Sequence, residues 1–228
     1  MTIPTEILDD LSVIDYRRQV AELYVELRRH GPGPDAWARW AERRRRLLLE
    51  HPSSALVGPG APQPPPATVD YFDYDPTWSV VGTVVPPAAG DGPAHETADD
   101  DPSEGGSTFR RFAAVRFERL GVRHELVLFR LDAYGGGLFL PFTDATGGTS
   151  TYGGGRYLLD GAKSADLGSP GPGLLHLDFN FAYHPSCAWD PQWPCPLAPP
   201  SNRLDVAVEA GERLTGSTRE GSARPARA

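Results

Sequence analysis

The sequence predicts an α+β fold in which an N-terminal helical hairpin precedes an antiparallel β-sandwich or flattened β-barrel. Apolar residues recur at helical spacing near the start of the chain. The 228 residues include 25 glycines and 24 prolines, and a chain that turns this often favours short strands. Apolar and polar residues alternate strictly over 174–181, which is typical of a strand. We expect the helical hairpin over 1–57, a proline-rich linker over 58–69, a β-rich domain over 70–213 and a disordered tail over 214–228.

The first helix is predicted over residues 10–29. Four apolar side chains repeat there at helical spacing and define one face: Tyr16, Val20, Leu23 and Leu27. The glycine–proline sequence at 31–34 cannot continue a helix, so the first helix ends there.

The second helix is predicted over residues 35–50. Its apolar face carries Trp37, Trp40, Ala41 and Leu48, and Arg44 shares that face. The basic run from Arg43 to Arg46 lies near the C-terminal end, where the helix dipole favours cations. That run indicates either a solvated helix end or a docking face for an acidic protein partner.

Strands are predicted after the linker, separated by turn residues. We expect them at about 78–85, 109–119, 122–131, 137–142, 155–160, 174–181 and 204–209. Residues 86–107 include six acidic residues and no basic one, together with much Gly, Pro and Ser. Such a composition cannot bury enough apolar surface to order itself, so we expect a disordered loop there.

The charge balance narrows the classes of partner. A net charge of −8 and a pI near 5.2 make nucleic acid an unsuitable ligand, because phosphate binding needs a basic field. We find neither an apolar run long enough to span a bilayer nor a signal peptide at Met1. We therefore expect a cytoplasmic protein with no membrane partner and with Cys187 and Cys195 reduced. No motif identifies a cofactor.

The unusual chemistry is concentrated in residues 139–213, where a series of motifs occurs in a fixed order. They are the stretches at 139–146, 151–158, 177–180, 182–183, 187–189, 195–197, 202–204 and 210–212. This series resembles the bacterial and archaeal family called domain of unknown function 1684, over about residues 45–213. The resemblance implies an uncharacterised activity. The family usually has Asn where this chain has His184, and an aliphatic residue is expected at His176, so a mechanism resting on either histidine would be special to this protein.

The loop from Asp144 to Arg156 is the first candidate site. It places Thr146, Thr149, Ser150 and Thr151 before three glycines and an arginine. Exposed backbone N–H groups, hydroxyls and a guanidinium together suit a carboxylate or phosphate ligand. The alternative is a tight glycine turn in which Arg156 pairs with a structural carboxylate such as Asp144.

The polar row His176, Asp178 and Asn180 is the second candidate site. Lying on one strand face, these residues would line a barrel mouth or cleft, as an acid or base requires. The alternative is a solvent-facing His176, with Asp178 and Asn180 in structural hydrogen bonds.

The proline-rich tract over 184–200 contains the third candidate. His184, Cys187 and Cys195 are weak candidates for zinc ligands, with Asp190 or Asp178 as a fourth, although no recognised zinc spacing is present and we predict no metal. A Cys187 nucleophile with His184 as its base is another interpretation. The third is a pair of neighbouring thiols, or a disulfide, that holds the loop.

Three functions follow from these candidates. The preferred one is binding of a small polar or anionic ligand by Arg156, Asp178, Asn180 and Tyr183. The second is a hydrolase or lyase that uses Asp178 or Asp144 as acid or base, with Tyr152 and Arg156 stabilising charge. The third is an interaction protein that recruits a partner through its helices and acidic loop. The first two require Arg156 and Asp178 to face a shared cavity.

Overall fold

A computed structural model describes residues 4–58, 60–87, 109–132 and 136–214. The prediction of a disordered loop over 86–107 falls almost entirely outside these residues, as does the predicted tail after Leu214. The described residues form helices α1 (Thr5–His30) and α2 (Pro34–Glu50) and strands β1 (Asp70–Tyr71), β2 (Ser79–Val85), β3 (Phe109–Arg119), β4 (Val122–Leu131), β5 (Leu138–Phe142), β6 (Arg156–Asp160), β7 (Leu174–Asp178) and β8 (Glu212–Arg213).

The two helices form the predicted hairpin, and α1 begins about one turn earlier than expected. It ends at Gly31, whose φ of 79° is accessible to glycine and whose N–H donates to the Leu27 carbonyl at 2.9 Å. Pro34 opens α2, a position at which its missing N–H costs nothing. None of the described helices is both long and apolar enough to cross a bilayer.

Six strands form one antiparallel sheet in the order β6-β5-β4-β3-β2-β7, and β1 pairs separately with β8. The β3–β4 hairpin turns at Leu120 and Gly121, both with positive φ, as a two-residue hairpin turn requires. The large sheet curls into a half-barrel. As a result Phe142 at the end of β5 contacts Phe179 just after β7, with ring centroids 5.1 Å apart. The predicted α+β architecture is confirmed.

The two faces of the curled sheet have separate cores. In β4, Leu126 and Leu128 point into the half-barrel, while Val127 and Phe129 face the helices, which is the alternation expected of a strand. The helical hairpin covers this outer face with residues that include Leu27 and Trp40. Burial of both faces explains why the strands are almost continuously apolar in places.

Two strand predictions need correction. The strand predicted over 174–181 ends at Asp178, because the Asp178 carboxylate accepts the Asn180 N–H at 3.0 Å and starts a short 3₁₀ turn, Phe179–Phe181. The strand predicted over 204–209 is wrong. Leu204 and Val206 bond the backbone of Thr143 and Ala145, but no regular ladder continues from there. The Val208 N–H donates to the Asp144 carboxylate and the Val208 carbonyl accepts from Arg156, so side chains replace a strand partner at Val208.

Candidate functional site

Arg156 lies at the start of β6 with 1% of its surface exposed. Its guanidinium donates to Asp144 Oδ2 at 2.7 Å and to the Val208 carbonyl at 2.8 Å. It also donates to the carbonyls of Ala210 and Glu212. Burial lowers the pKa of Arg156 and the neighbouring carboxylate opposes that shift. Four of the five N–H donors therefore bond within the chain, where they anchor residues 208–212 to the sheet.

The loop from Asp144 to Thr151 is closed on itself. Asp144 Oδ1 accepts both the N–H and the hydroxyl of Thr146, at 2.7 and 2.5 Å. The Thr146 carbonyl in turn accepts the backbone N–H groups of Thr149, Ser150 and Thr151. This geometry is the tight turn with an Arg156–Asp144 pair that the sequence offered as the alternative to anion binding.

Asp178 and Asn180 are also buried, with 1% and 0% of their surfaces exposed. The Asn180 side chain accepts the Asp75 N–H and donates to the Asp75 carbonyl, both at 2.9 Å, and it also donates to Asp178. Burial raises the pKa of the Asp178 carboxyl, and hydrogen bonds from Asn180 oppose the shift. These two residues tie the chain before β2 to the end of β7, whereas His176 is only half-buried.

Arg156 and Asp178 thus belong to different hydrogen-bond networks that share no residue. The predicted cavity between them was the basis of both the ligand-binding and the acid–base hypotheses. Tyr183, the fourth predicted ligand residue, donates its hydroxyl to Asp160 at 2.8 Å, and the Arg44 guanidinium stacks 4.1 Å from its ring centroid. Each predicted ligand-binding side chain therefore already has a partner inside the chain.

Glu212 and Arg44 form a buried ion pair that the sequence hypotheses did not include. Glu212, in β8, is 0% exposed; one carboxylate oxygen accepts from Arg44 on α2 at 2.5 Å, and the other accepts the His184 N–H at 2.7 Å. Burial alone would lower the pKa of Arg44, but the negative charge of Glu212 outweighs it and raises that pKa. The signal in the sequence was a single arginine on the apolar face of the second helix, since a buried charge needs a partner.

His184 is buried in the same network. Its Nε2 accepts the Tyr152 N–H at 3.2 Å, so the ring proton lies on Nδ1, 3.7 Å from Glu212. Burial, together with the charges of Arg156 and Arg44, holds the pKa of His184 well below its usual range. The ring is therefore neutral and turned inward.

The described residues contain no group of three His, Cys, Asp or Glu side chains placed to hold a metal ion. His184, Cys187 and Cys195 therefore do not converge as zinc ligands, because the His184 ring faces the Tyr152 backbone. For the same reason His184 is not hydrogen-bonded to Cys187 as a catalytic base.

Cys187 and Cys195 are adjacent free thiols, each partly exposed. The Cys187 N–H donates to the Cys195 sulfur at 3.3 Å. A hydrogen bond from the Cys187 thiol, that backbone N–H and the positive charge of Lys163 lower the pKa of Cys195 to about 7. The same thiol–thiol hydrogen bond, with burial, raises the pKa of Cys187. Near pH 7, Cys195 is thus about half ionised, whereas Cys187 remains a thiol.

Tyrosines and Lys163 surround the thiol pair. The Tyr157 hydroxyl donates at 2.7 Å to the carbonyl of Pro196, the residue that follows Cys195. Lys163 is held by Asp160 at 2.7 Å, and the Tyr152 side chain hydrogen-bonds the Cys187 thiol. Of the predicted site residues, the structure therefore places Tyr152, Cys187 and Cys195 together.

Fold and site together define a class of protein: an α+β chain whose helical hairpin covers a curled antiparallel sheet, with a partly exposed thiol pair in a proline-rich loop. A family model described as protein of unknown function (DUF1684) matches residues 67–213. The chain belongs to this family.

The chain is also similar to a solved structure. The solution NMR structure of an uncharacterized protein of Haloarcula marismortui is 32% identical, covers 78% of this chain and 91% of its own, and superposes with a TM-score of 0.54. No curated protein matches this sequence.

Proposed function

We propose that the Cys187–Cys195 pair is a redox-active dithiol that reduces a small hydroperoxide. The observation that carries the proposal is the 3.3 Å contact from the Cys187 N–H to the Cys195 sulfur, at a site where both residues are partly exposed. Reactive cysteines combine donors that stabilise the thiolate with access to solvent. The pair has both properties, whereas the four predicted ligand-binding residues, Arg156, Asp178, Asn180 and Tyr183, are buried.

The chemistry divides into two steps. The Cys195 thiolate attacks one peroxide oxygen, the O–O bond breaks, and the alkoxide leaves with a proton as an alcohol, so that Cys195 becomes a sulfenic acid. Cys187 then loses its proton and attacks the Cys195 sulfur. The S–S bond forms and the hydroxyl group leaves with that proton as water. The two thiols supply the two electrons that reduce the peroxide, and an external dithiol restores them.

The different pKa values of the two thiols suit these roles. A lowered pKa makes Cys195 the attacking sulfur near neutral pH, and a raised pKa keeps Cys187 protonated until the sulfenic acid has formed. Partial burial of both residues favours a small oxidant over a folded protein disulfide.

Intact-mass measurement tests this function. Reduced protein treated with one equivalent of hydrogen peroxide should lose two hydrogens and retain no alkylatable thiol at 187 or 195. In a Cys187→Ala variant, the sulfenic acid should persist at Cys195 and react with dimedone. Failure of the wild-type protein to form the disulfide, or dimedone labelling that does not map to Cys195, would contradict the proposal.

Binding of a small polar or anionic ligand is the second candidate. Two buried nitrogens, Arg156 Nε and His184 Nδ1, have no hydrogen-bond partner within the described residues. Two such N–H donors favour an acceptor bound between residues 156 and 184. Native mass spectrometry of freshly purified protein tests this candidate, because a retained small molecule that Arg156→Lys releases would support it, and bare protein would not.

A further inference from the structure

The first half of α1 carries large apolar side chains on its exposed side. Ile7, Leu8, Leu11 and Ile14 are each about half exposed, between 49% and 53%. Exposed apolar residues are ordinary when scattered, but a contiguous patch marks a contact surface. These four fall within two turns of one helix, so they form such a patch.

This patch points away from the protein's own core. The buried residues of α1 are Val20, Leu23, Tyr24 and Leu27. A helix turns by about 100° per residue, which places Leu11 on the side opposite Leu27. The fold of the single chain therefore leaves this face uncovered among the described residues.

The exposed face has the spacing of a helix–helix seam. Residues at alternating steps of four and three continue along it, in the series Ile7, Leu11, Ile14, Arg18, Ala21 and Val25. This alternation is the apolar repeat of a two-stranded coiled coil, in which each seam residue packs between residues of the facing helix. Arg18 is the one polar interruption, and its aliphatic stem can cover apolar surface while its charge reaches water.

The charges beside this seam favour one partner for the exposed face, a second copy of α1 that runs antiparallel to the first. A two-fold axis that passes between Leu11 and Ile14 places Leu11 against Ile14 of the partner subunit. The symmetry makes this contact two times in the dimer. The same register sets Asp10 beside Arg17 of the partner subunit, again twice. Asp10 and Arg17 are both exposed and have no ion-pair partner within the described residues. The surface is thus complementary to itself in its apolar spacing and in its charge.

From this complementarity we propose that the protein forms a homodimer through antiparallel packing of α1, centred on Leu11 and Ile14. The proposal is independent of the thiol pair. It predicts a reversible dimer rather than an obligate one, since each subunit keeps its own core.

Sedimentation velocity of the full chain over about a hundredfold range of concentration tests the dimer. Wild-type protein should pass from monomer to dimer, and Leu11→Glu should weaken the dimer by more than about tenfold because a charge would be buried in the seam. Leu120→Glu is the matched control, since Leu120 is 74% exposed at the β3–β4 turn. Circular dichroism checks that both variants keep their helices.

A charge swap tests the antiparallel register. Asp10→Arg alone and Arg17→Asp alone should each weaken the dimer, and the double variant should restore it because each pair is re-formed with its charges exchanged. Three results would overturn the proposal: a monomer at every concentration, a dimer that Leu11→Glu leaves intact, or a double variant no stronger than its single parents.

Discussion

The Arg156 guanidinium and the Asp144 carboxylate meet at 2.7 Å with 1% and 2% of their side chains exposed. This pair joins the end of β5 to the start of β6, and the remaining Arg156 donors hold the carbonyls of residues 208–212. A buried charge pair of this kind organises the backbone around it, which explains how the Val208 backbone is satisfied without a strand partner.

Removing Arg156 should therefore be costly. Arg156→Met leaves the Asp144 charge buried without its partner, and we expect a loss of about 3–5 kcal/mol in the free energy of unfolding, measured by urea denaturation. Arg116→Met is the control, because Arg116 pairs with Glu125 at the surface and should cost no more than about 1 kcal/mol. Equal losses in the two variants would show that burial does not set the strength of the Arg156 contact.

The Arg44–Glu212 pair should hold the helical hairpin against the sheet. In Arg44→Met the fully buried Glu212 loses its cation, and we expect a loss of several kcal/mol, about 3–5, in the same measurement. Arg46→Met is the control: Arg46 lies two residues further along α2 and its side chain is 61% exposed, so we expect a change within about 1 kcal/mol of wild type. Similar stabilities for the two variants would count against this role for Arg44.

His184 should make the protein less stable in mild acid. Its pKa in the folded state is well below the usual value, so below about pH 6.5 the unfolded chain binds a proton that the folded chain does not. Stability therefore falls as the pH drops, by at most about 1.4 kcal/mol per pH unit for this one group.

His184→Asn removes that titration and can keep an acceptor for the Tyr152 N–H. The variant should show a shallower decline in unfolding free energy between about pH 6.5 and 5 than wild type. The exposed His30→Asn is the control and should follow the wild-type curve. Identical slopes for wild type and His184→Asn would mean that His184 does not contribute to the acid sensitivity.

The two thiols should titrate differently. The rate of alkylation of Cys195 by iodoacetamide should rise with a midpoint near pH 7, since the thiolate is the reactive form. Cys187→Ala removes the thiol donor and should shift the midpoint upward, towards the ordinary value of about 8.5. A Cys195→Ala variant removes the same hydrogen bond, so the pKa of Cys187 should fall towards its ordinary value, with burial opposing the fall. If the midpoint does not move in Cys187→Ala, the hydrogen bond from Cys187 is not the cause of the lowered pKa of Cys195.

Local patterns in the sequence predicted most of the fold. The hairpin strands β3 and β4 were expected with their observed bounds, because their alternation and the Leu120-Gly121 turn are both local signals. Residues 204–209 were predicted wrongly, because their backbone bonds only in part to Thr143 and Ala145, and Val208 bonds instead to the side chains of Asp144 and Arg156, more than fifty residues earlier. Local alternation carries no information about such distant contacts.

The candidate site was harder to predict for the same reason. The polar row on β7 indicated a cleft, yet Asn180 hydrogen-bonds Asp75, which lies 105 residues away, and Asp178 hydrogen-bonds Asn180. Cys187 and Cys195 supported three interpretations, because their contact depends on the path of a proline-rich loop that no periodicity describes. Arg44 on an apolar helix face was the clearest sign of a buried partner.

The most direct test of the redox proposal compares Cys195 in folded and urea-unfolded protein at pH 6, using hydrogen peroxide and peptide mapping. If the fold lowers the pKa of this thiol, more of it is thiolate when folded, and the folded protein should react faster by a factor on the order of five. A folded Cys195 that reacts no faster than the unfolded one would contradict the account.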